Sequence, residues 1–480
     1  MKTRVKRRSL WRTEWRLLAA DRTPWLLLLI FGIVTAYGAW NGWQWAHFQR
    51  TTLTEIVDGD TMRMVRLDSL LQRRALGDST AKVPPTGALG ASMATTHAVF
   101  APGPLATLAV GASDLFPYYA RVSIRSKQSF MASDEIENPH NLLAGRFDLA
   151  FVMVFIYPLL LLALTYNVVS GERDQGTMPL WMSQPISPRR VLLTKLAVRV
   201  GFVLAITLGL SIAMAIVTGV SLTADGAVVR LALWALAVLA YGLFWIAIAV
   251  AVNALGRSSA MNAVVLLGAW LLVVVVIPST IAAVVTTVYP SPSRVALTTA
   301  LRRASDEAAA KGDTAVSQFL AEHPEMAQSG TLSAGNAWGR TIALQEQTTA
   351  ALRPAFAAFD SALVAQRTAA DRARVLSPAI LLQDALHDVA GRGIDRYRHY
   401  DAQLDAYHQA WQTFFFRRVF ADQALTAADF AARPAFTYVE ESNGSVARRV
   451  LTLLLLVLVP TVVIGAWGIG RLTRVSVHGS

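Results

Sequence analysis

Three carboxylates lie close together in the segment EIVDGDT: Glu55, Asp58 and Asp60. An Asp-Gly-Asp sequence can hold a calcium ion, and acidic residues beside a membrane could also act on a lipid-linked substrate. No further ligand pattern completes a site around them, so a solvated turn is the favoured interpretation. A membrane enzyme that uses these three residues stays open as an alternative.

The histidines and the missing motifs narrow the chemistry further. His387, His399 and His408 are scattered along sequence of helical character, which favours hydrogen bonding at a surface or between helices over a metal cluster. The chain has no cysteine, which excludes disulfides, thiol catalysis and cysteine-ligated zinc. It has no Gly-Lys dipeptide, hence no Walker A loop, and no HExxH or GxSxG motif. We therefore expect a chain that is not an enzyme, binds no metal or cofactor and takes its energy from another polypeptide.

The stretch GERDQGTMPLWMSQPISPRR, from Gly171 to Arg190, interrupts two apolar runs with charges and prolines. Gly176 and Thr177 suit a helix start, with Thr177 as the N-cap. A short amphipathic helix through Leu180 and Trp181 should follow, and the prolines after it should stop it. Such a helix would present Trp181 to a partner or to the bilayer surface.

The composition is that of a membrane protein, because 54% of the residues are apolar and only 16% are charged. A helix that crosses the hydrocarbon core needs roughly 20 apolar residues. Six segments qualify: 24–45, 149–169, 200–224, 231–255, 260–288 and 450–470. The sequence therefore predicts an all-α polytopic protein with six transmembrane helices and a mainly helical external domain.

Basic residues set the predicted orientation. They are concentrated in residues 1–23, in the loop 170–190 and the residues that follow it, and in the tail 471–480, which places both termini in the cytoplasm. Trp11 and Trp15 lie one helical turn apart among the N-terminal arginines. This spacing predicts an amphipathic helix in the cytoplasmic interface rather than a nucleic-acid-binding patch.

Two long segments then lie outside the membrane, 46–148 and 289–448. The former should continue the helix of the first span over Leu53–Leu76 and then turn into loops, with a short strand where Ala120, Val122 and Ile124 alternate with polar residues. The latter has helical character and contains an aromatic stripe at spacings of three and four. The members of the stripe are Tyr397, Tyr400, Leu404, Tyr407, Trp411 and Phe414. Packing in the external core is the favoured interpretation, and a substrate- or partner-facing surface is the alternative.

Small residues recur every fourth position in the third span, at Gly201, Ala205, Gly209 and Ala213. Ridges of this kind let another helix approach closely in a membrane. The pattern predicts lateral helix packing with a partner in the same chain or in a second one.

The interrupted stretch resembles the permease subunits of type-2 ABC exporters, which carry Glu-x-x-x-Gly-Thr-Leu and then Pro-Ile/Val-Ser/Thr-x-Arg in a cytoplasmic segment. The matching positions are Glu172, Gly176, Thr177, Leu180, Trp181, Pro185, Ile186, Ser187 and Arg189. Met178, Pro179 and Pro188 depart from the pattern. Residues 138–177 and 396–415 are also similar to the permeases of nitrous-oxide-reductase maturation and gliding-motility systems, in a subgroup with a large external insert.

The resemblance implies a complex in a bacterial cytoplasmic membrane, in which this chain spans the bilayer and other subunits hydrolyse ATP. Two cytoplasmic ATPase subunits would bind ATP and Mg, and a second permease, identical or paralogous, would complete the complex. Glu172, Arg173 and the matching positions up to Ile186 would couple the ATPase to the spans. An exporter is the first expectation. The alternative is an ABC-type complex that moves no solute but extracts a lipid or acts on a periplasmic client.

Overall fold

A computed structural model describes residues 7–125, 147–176, 188–290, 294–324 and 336–478. Its strands are β1 (Thr96–Val99) and β2 (Tyr119–Val122). Its helices are α1 (Arg7–Ala20), α2 (Arg22–Ala75), α3 (Leu149–Asp174), α4 (Pro188–Val217), α5 (Ala227–Asn253), α6 (Ser259–Val288), α7 (Arg294–Lys311), α8 (Asp313–Glu322), α9 (Ala337–Ala373), α10 (Pro378–Ala390), α11 (Ile394–Phe420), α12 (Ala427–Ala431) and α13 (Asn443–His478), with short helical turns between some of them.

Six of these helices, α2 to α6 and α13, are long and apolar enough to cross a membrane, which fits the predicted all-α multi-pass protein. Their ends differ from the predicted spans. For example, α4 begins at Pro188 instead of 200. It ends at Val217 instead of 224, because Gly219 takes a positive φ of 81° that turns the chain. The final helix runs to His478, so most of the predicted tail 471–480 is helical.

The helix of the first span extends well beyond the apolar segment. α2 is a single helix of 54 residues that covers the predicted span 24–45 and nearly all of the predicted continuation over Leu53–Leu76. Its start is capped by Asp21, whose side chain accepts a hydrogen bond from the Thr23 amide at 2.9 Å. Gly42 lets a loop pack onto the helix, since a Cβ there would lie 2.2 Å from the Thr107 carbonyl oxygen.

Two large hydrophobic cores hold most of the buried apolar side chains among the described residues, beside a small third cluster around Val168, Leu196 and Val250. The first lies within the helix bundle and is centred on α3 and α5, with Tyr157, Trp234 and Trp245 among its fully buried side chains. The second joins the far end of α2 to β1, β2, α8, α9 and α11. Both long segments therefore contribute to one domain. We call the bundle end next to this domain the domain end, and the opposite one, where α2 begins, the terminal end.

Two prolines inside the bundle leave backbone carbonyls without their usual donors, and side chains replace those donors. Pro158 has no N–H for Val154, four residues before it, and the Tyr241 hydroxyl donates to that carbonyl at 3.1 Å. Leu271–Val276 is a π-helical segment, in which the donor for Val273 would be the missing N–H of Pro278. The Ser377 hydroxyl, just before α10, donates to Val273 instead, at 3.1 Å.

Helix α10 is buried although it is too short to span a membrane. Leu381, Leu382, Leu386 and Val389 have no exposed surface and belong to the bundle core. Proline at its start and Gly391 at its end, with a φ of 70°, confine it to 13 residues. It enters the bundle from the domain end, because the carbonyl of Val389 accepts a hydrogen bond from Arg230 in the first turn of α5.

Candidate functional site

The residues that open the predicted coupling segment meet the bundle at the terminal end. Glu172, in the last turn of α3, forms an ion pair with Lys195 of α4. The two side chains are 24% and 12% exposed, so the pair is partly shielded from solvent. Arg199, one turn further along α4, donates to the Leu164 carbonyl and to Asn167 Oδ1, both at 3.2 Å. These contacts fix the end of α3 against the start of α4.

The neighbouring residues connect the same segment to the turn between α5 and α6. The Arg173 guanidinium donates to the Gly256 carbonyl, and Asp174 Oδ2 accepts a hydrogen bond from the Ser259 amide at 3.0 Å. Asn253, at the end of α5, accepts a hydrogen bond from the Val169 amide at 3.3 Å. A displacement of Glu172–Asp174 would therefore reach α4, α5 and α6 through direct contacts.

The amphipathic helix α1 joins this cluster from the terminal side. Glu14 lies near Lys195 and Arg199, and burial raises its pKa, an effect that the two cations partly offset. The Trp15 ring packs edge-on against Phe202 of α4 at 5.1 Å. Trp11 and Trp15 remain about half exposed, as expected for side chains at a membrane surface.

The other residues of the predicted coupling set divide into two groups. Gly176 is described and takes a φ of 68°, which ends the preceding helix. Thr177, Leu180, Trp181, Pro185 and Ile186 lie outside the described residues, and so does the predicted amphipathic helix. The structure thus places the start of the segment but does not test its docking face.

The small-residue ridge of α4 points away from the rest of the chain. Gly201, Ala205, Gly209 and Ala213 are all exposed. A Cβ added at Gly201 or Gly209 would meet no heavy atom within 4 Å. Within the described residues the ridge therefore packs against no other helix of the same chain.

The aromatic stripe of α11 lies in the second core. Trp411 has no exposed surface, and the hydroxyl of Tyr400 donates to the Ala98 carbonyl at 2.8 Å. Tyr407 shares a hydrogen bond of 2.7 Å with Thr96, so the stripe holds β1 in place. Tyr397 and Phe414 are partly exposed at its two ends. The stripe packs the domain together and leaves no continuous face for a substrate.

The acidic cluster is part of α2, so the predicted solvated turn is wrong. Neighbouring residues favour helix over the Asp-Gly-Asp turn. Asp58 and Asp60, two positions apart, point to different sides of the helix. Asp60 accepts a hydrogen bond from the His97 amide at 2.7 Å, which attaches β1 to α2, whereas Glu55 and Asp58 are exposed. No contact among the described residues brings the three together.

Two of the three histidines contact backbone carbonyl oxygens, and the third is buried. His408 contacts the Arg125 carbonyl oxygen at 2.7 Å, and His399 contacts that of Val439 at 3.1 Å. Burial lowers the pKa of His387 to about 4. Among the described residues no group of three or more potential ligands could hold a metal ion.

Sequence reasoning missed a polar network at the domain end, because its members are far apart in the chain. Arg396 of α11 pairs with Glu440 through two hydrogen bonds of 2.6 and 2.7 Å, and Arg449 of α13 pairs with Asp388 of α10 at 3.2 Å. Arg392 is 5% exposed, and burial lowers its pKa to about 9. Its Nη1 donates to Gln49 of α2 at 2.6 Å. The network joins the second core to α2, α10 and α13.

Residues 294–439 match a domain of unknown function, DUF3526. The match covers less than half of the chain and runs from α7 to just beyond α12, so it includes α10 and the aromatic stripe. No curated protein matches the chain. The contacts of Glu172–Asp174 with α4 and with the α5–α6 turn, which we call the terminal-end junction, lie outside the matched region.

Proposed function

We propose that the chain is the membrane-spanning permease subunit of an ATP-binding cassette complex of the exporter type. A separate cytoplasmic ATPase would drive it through the segment that begins at Glu172. The observation that carries the proposal is the set of contacts from Glu172, Arg173 and Asp174 to α4 and to the α5–α6 turn. A motor that pushes on this segment would act on several spans at once, as a coupling element requires.

The orientation and the partners follow from the same proposal. The basic residues around α1, the start of α4 and the end of α13 support a cytoplasmic location for the terminal end, and the resemblance to bacterial permeases suggests a bacterial inner membrane. The domain end would then be periplasmic. Two ATPase subunits would carry ATP and Mg, and the outward-facing ridge of α4 offers a close-packing surface for a second permease, identical or paralogous.

The test is purification of the intact complex from its native membrane, followed by identification of any bound ATPase. Trp181→Glu should reduce ATPase recovery or its stimulated turnover while the melting temperature stays near that of the wild type. Glu172→Ala should reduce them too, with a lower melting temperature because it also removes the ion pair with Lys195. Glu55→Ala is the matched control, because Glu55 is exposed on α2 far from the junction. Normal recovery and normal turnover in both junction variants would reject the coupling role.

A second candidate function, force transmission without solute transport, is favoured by α2. This helix is about 80 Å long at 1.5 Å per residue, and it runs from the terminal end of the bundle into the second core, where Met64 and Leu71 are buried. A continuous helix of this kind could carry movement from the membrane to a domain that acts on a lipid or a periplasmic client.

Breaking α2 between the two cores separates the two candidates. Thr51 is exposed on α2, so Thr51→Pro should interrupt the helix with little loss of packing, and Thr51→Ala is its control. A mechanical complex would keep its ATPase but lose its activity on the client. A solute exporter would keep transport, and that result would reject force transmission.

A further inference from the structure

The DUF3526 region contains a helical hairpin that dips into the bundle. The end of α9 runs beside α6, and Gln366 Nε2 donates to the Tyr289 carbonyl at 3.0 Å, just past the end of α6. The chain then turns through a 3₁₀ segment, Arg374–Leu376, and Ser377 reaches Val273 in the middle of α6. Helix α10 returns to the domain end. The tip of the hairpin is therefore the segment 375–377, and Arg374 lies immediately before it.

The depth of this tip can be counted along α6. A helix rises about 1.5 Å per residue, so Val273 lies about 21 Å from Ser259, the first residue of α6. Arg257 lies two residues before Ser259, and a basic residue at the end of a span is typical of the membrane surface, so we take Ser259 as the surface level. The hydrocarbon core is about 30 Å thick, which leaves the tip about 9 Å inside the leaflet at the domain end.

A separate count along α3 also places the tip inside this leaflet, at a shallower depth. Trp270, one turn before Val273, donates its indole N–H to the Phe155 carbonyl at 3.1 Å. Phe155 lies about 9 Å along α3 from Leu149, where that helix begins at the domain end. Val273 is about 4–5 Å nearer to that end than Trp270, so this count leaves the tip about 4–5 Å inside the leaflet. The two helices run in opposite directions, so an error in placing one end would not shift both counts together.

The side chains at the tip suit this position. Val375 and Leu376 are 48% and 67% exposed, so neither side chain is covered by the described part of the chain. The charged residue next to them, Arg374, is neutralised by two carboxylates. Arg374 is paired with Asp371 at 3.3 Å and with Asp384 at 3.2 Å. An exposed apolar tip whose neighbouring cation is paired suits a segment inserted into one leaflet.

We infer that the hairpin tip is embedded in the lipid leaflet at the domain end, with Val375 and Leu376 in contact with acyl chains. The occupant of this apolar surface is lipid rather than protein, because it lies at hydrocarbon depth on the outside of the bundle. The inference depends on the spans crossing a bilayer and not on the proposed ATPase.

The absence of cysteine makes single-cysteine labelling direct. Val375→Cys and Leu376→Cys would carry a bimane fluorophore in nanodiscs. Val364→Cys on α9 is the matched control, since Val364 is 55% exposed and precedes Gln366, beyond the end of α6. We expect the labels at 375 and 376 to be blue-shifted and to lose most of their emission to nitroxide on lipid acyl chains, with little loss to iodide. The label at 364 should respond to iodide and not to acyl-chain nitroxide.

Two outcomes would overturn the inference. Quenching of the 375 and 376 labels by iodide to the same extent as the 364 label would place the tip in water. Protection of both labels from iodide and from every nitroxide lipid would mean that a protein covers the tip. Because Val364→Cys and Val375→Cys make the same change at similar exposure, a difference between them reports position rather than chemistry.

Discussion

The ion pair between Glu172 and Lys195 allows a quantitative test of the terminal-end junction. An exposed pair contributes about 0–1 kcal/mol, whereas breaking a fully buried one costs about 3–5 kcal/mol. With exposures of 24% and 12%, this pair lies between the two cases. We expect Lys195→Met to cost about 2 kcal/mol, because it leaves Glu172 facing Glu14 without the cation between them. Glu172→Gln should cost less, because Lys195 keeps Glu14 as a partner.

A double-mutant cycle measures the pair itself. The free energy of unfolding would be determined in mixed micelles for the wild type, Lys195→Met, Glu172→Gln and the double variant. A coupling energy of about 1–2 kcal/mol is expected for a contacting charged pair. Lys311→Met is the control, since Lys311 is exposed at the end of α7 and should change stability by no more than about 0.5 kcal/mol. Additive effects within about 0.5 kcal/mol would refute the pairing.

Three further changes test other parts of the structure. Burial raises the pKa of Glu14, so the folded protein takes up a proton there more readily than the unfolded chain, and stability should rise as the pH falls through the raised pKa. Glu14→Gln should remove that part of the pH dependence of the melting temperature, and an unchanged difference curve would contradict it. Ser377→Ala should cost about 0.6–1.7 kcal/mol by leaving the Val273 carbonyl unpaired, and Ser377→Thr, which keeps a hydroxyl, should cost less. Gly391→Ala should cost about 1–2 kcal/mol for the left-handed backbone alone, and more if Gly103, 3.0 Å from the new Cβ, cannot move; a neutral effect in thermal unfolding would contradict the positive φ.

Apolar runs predicted the six membrane helices because length and hydropathy are properties of the local sequence. The same local reasoning also located β2, where Ala120 and Val122 alternate with polar neighbours. It failed at EIVDGDT, whose Asp-Gly-Asp is typical of a turn. Packing holds α2 before this segment, where Gly42 contacts a loop, and after it, where Met64 is buried in the second core. The loss of helix propensity at the single glycine of the segment is too small to break the helix.

Helix α10 shows a different limit of sequence reasoning. Its 13 residues include Asp384, His387 and Asp388, so no hydropathy window identifies it as a membrane element. Its burial depends on partners far away in sequence, such as Arg449 of α13, which pairs with Asp388. Lys195 was missed as a site residue for the same reason, since only the folded chain brings it to Glu172.

Helix α3 makes polar contacts at both ends of the bundle. At the terminal end, Arg173 and Asp174 bind the α5–α6 turn. At the domain end, Asp148 accepts hydrogen bonds from the Phe151 amide, which caps the helix, and from the Val110 amide in a loop of the first long segment, both at 2.7 Å.

Between these ends, α3 contains a segment whose helical hydrogen bonding is irregular. The π-helical segment Val152–Ile156 and Pro158 interrupt its regular hydrogen bonds. The Tyr241 hydroxyl from α5 donates to the Val154 carbonyl, which Pro158 leaves without a backbone donor. A displacement at Glu172 that shifts α3 against α5 must therefore either preserve this bond and move both helices together, or break it and leave the carbonyl unpaired in a dry core. The cost of the second course favours concerted movement of α3 and α5, and this would carry the displacement to Asp148 and the domain beyond it.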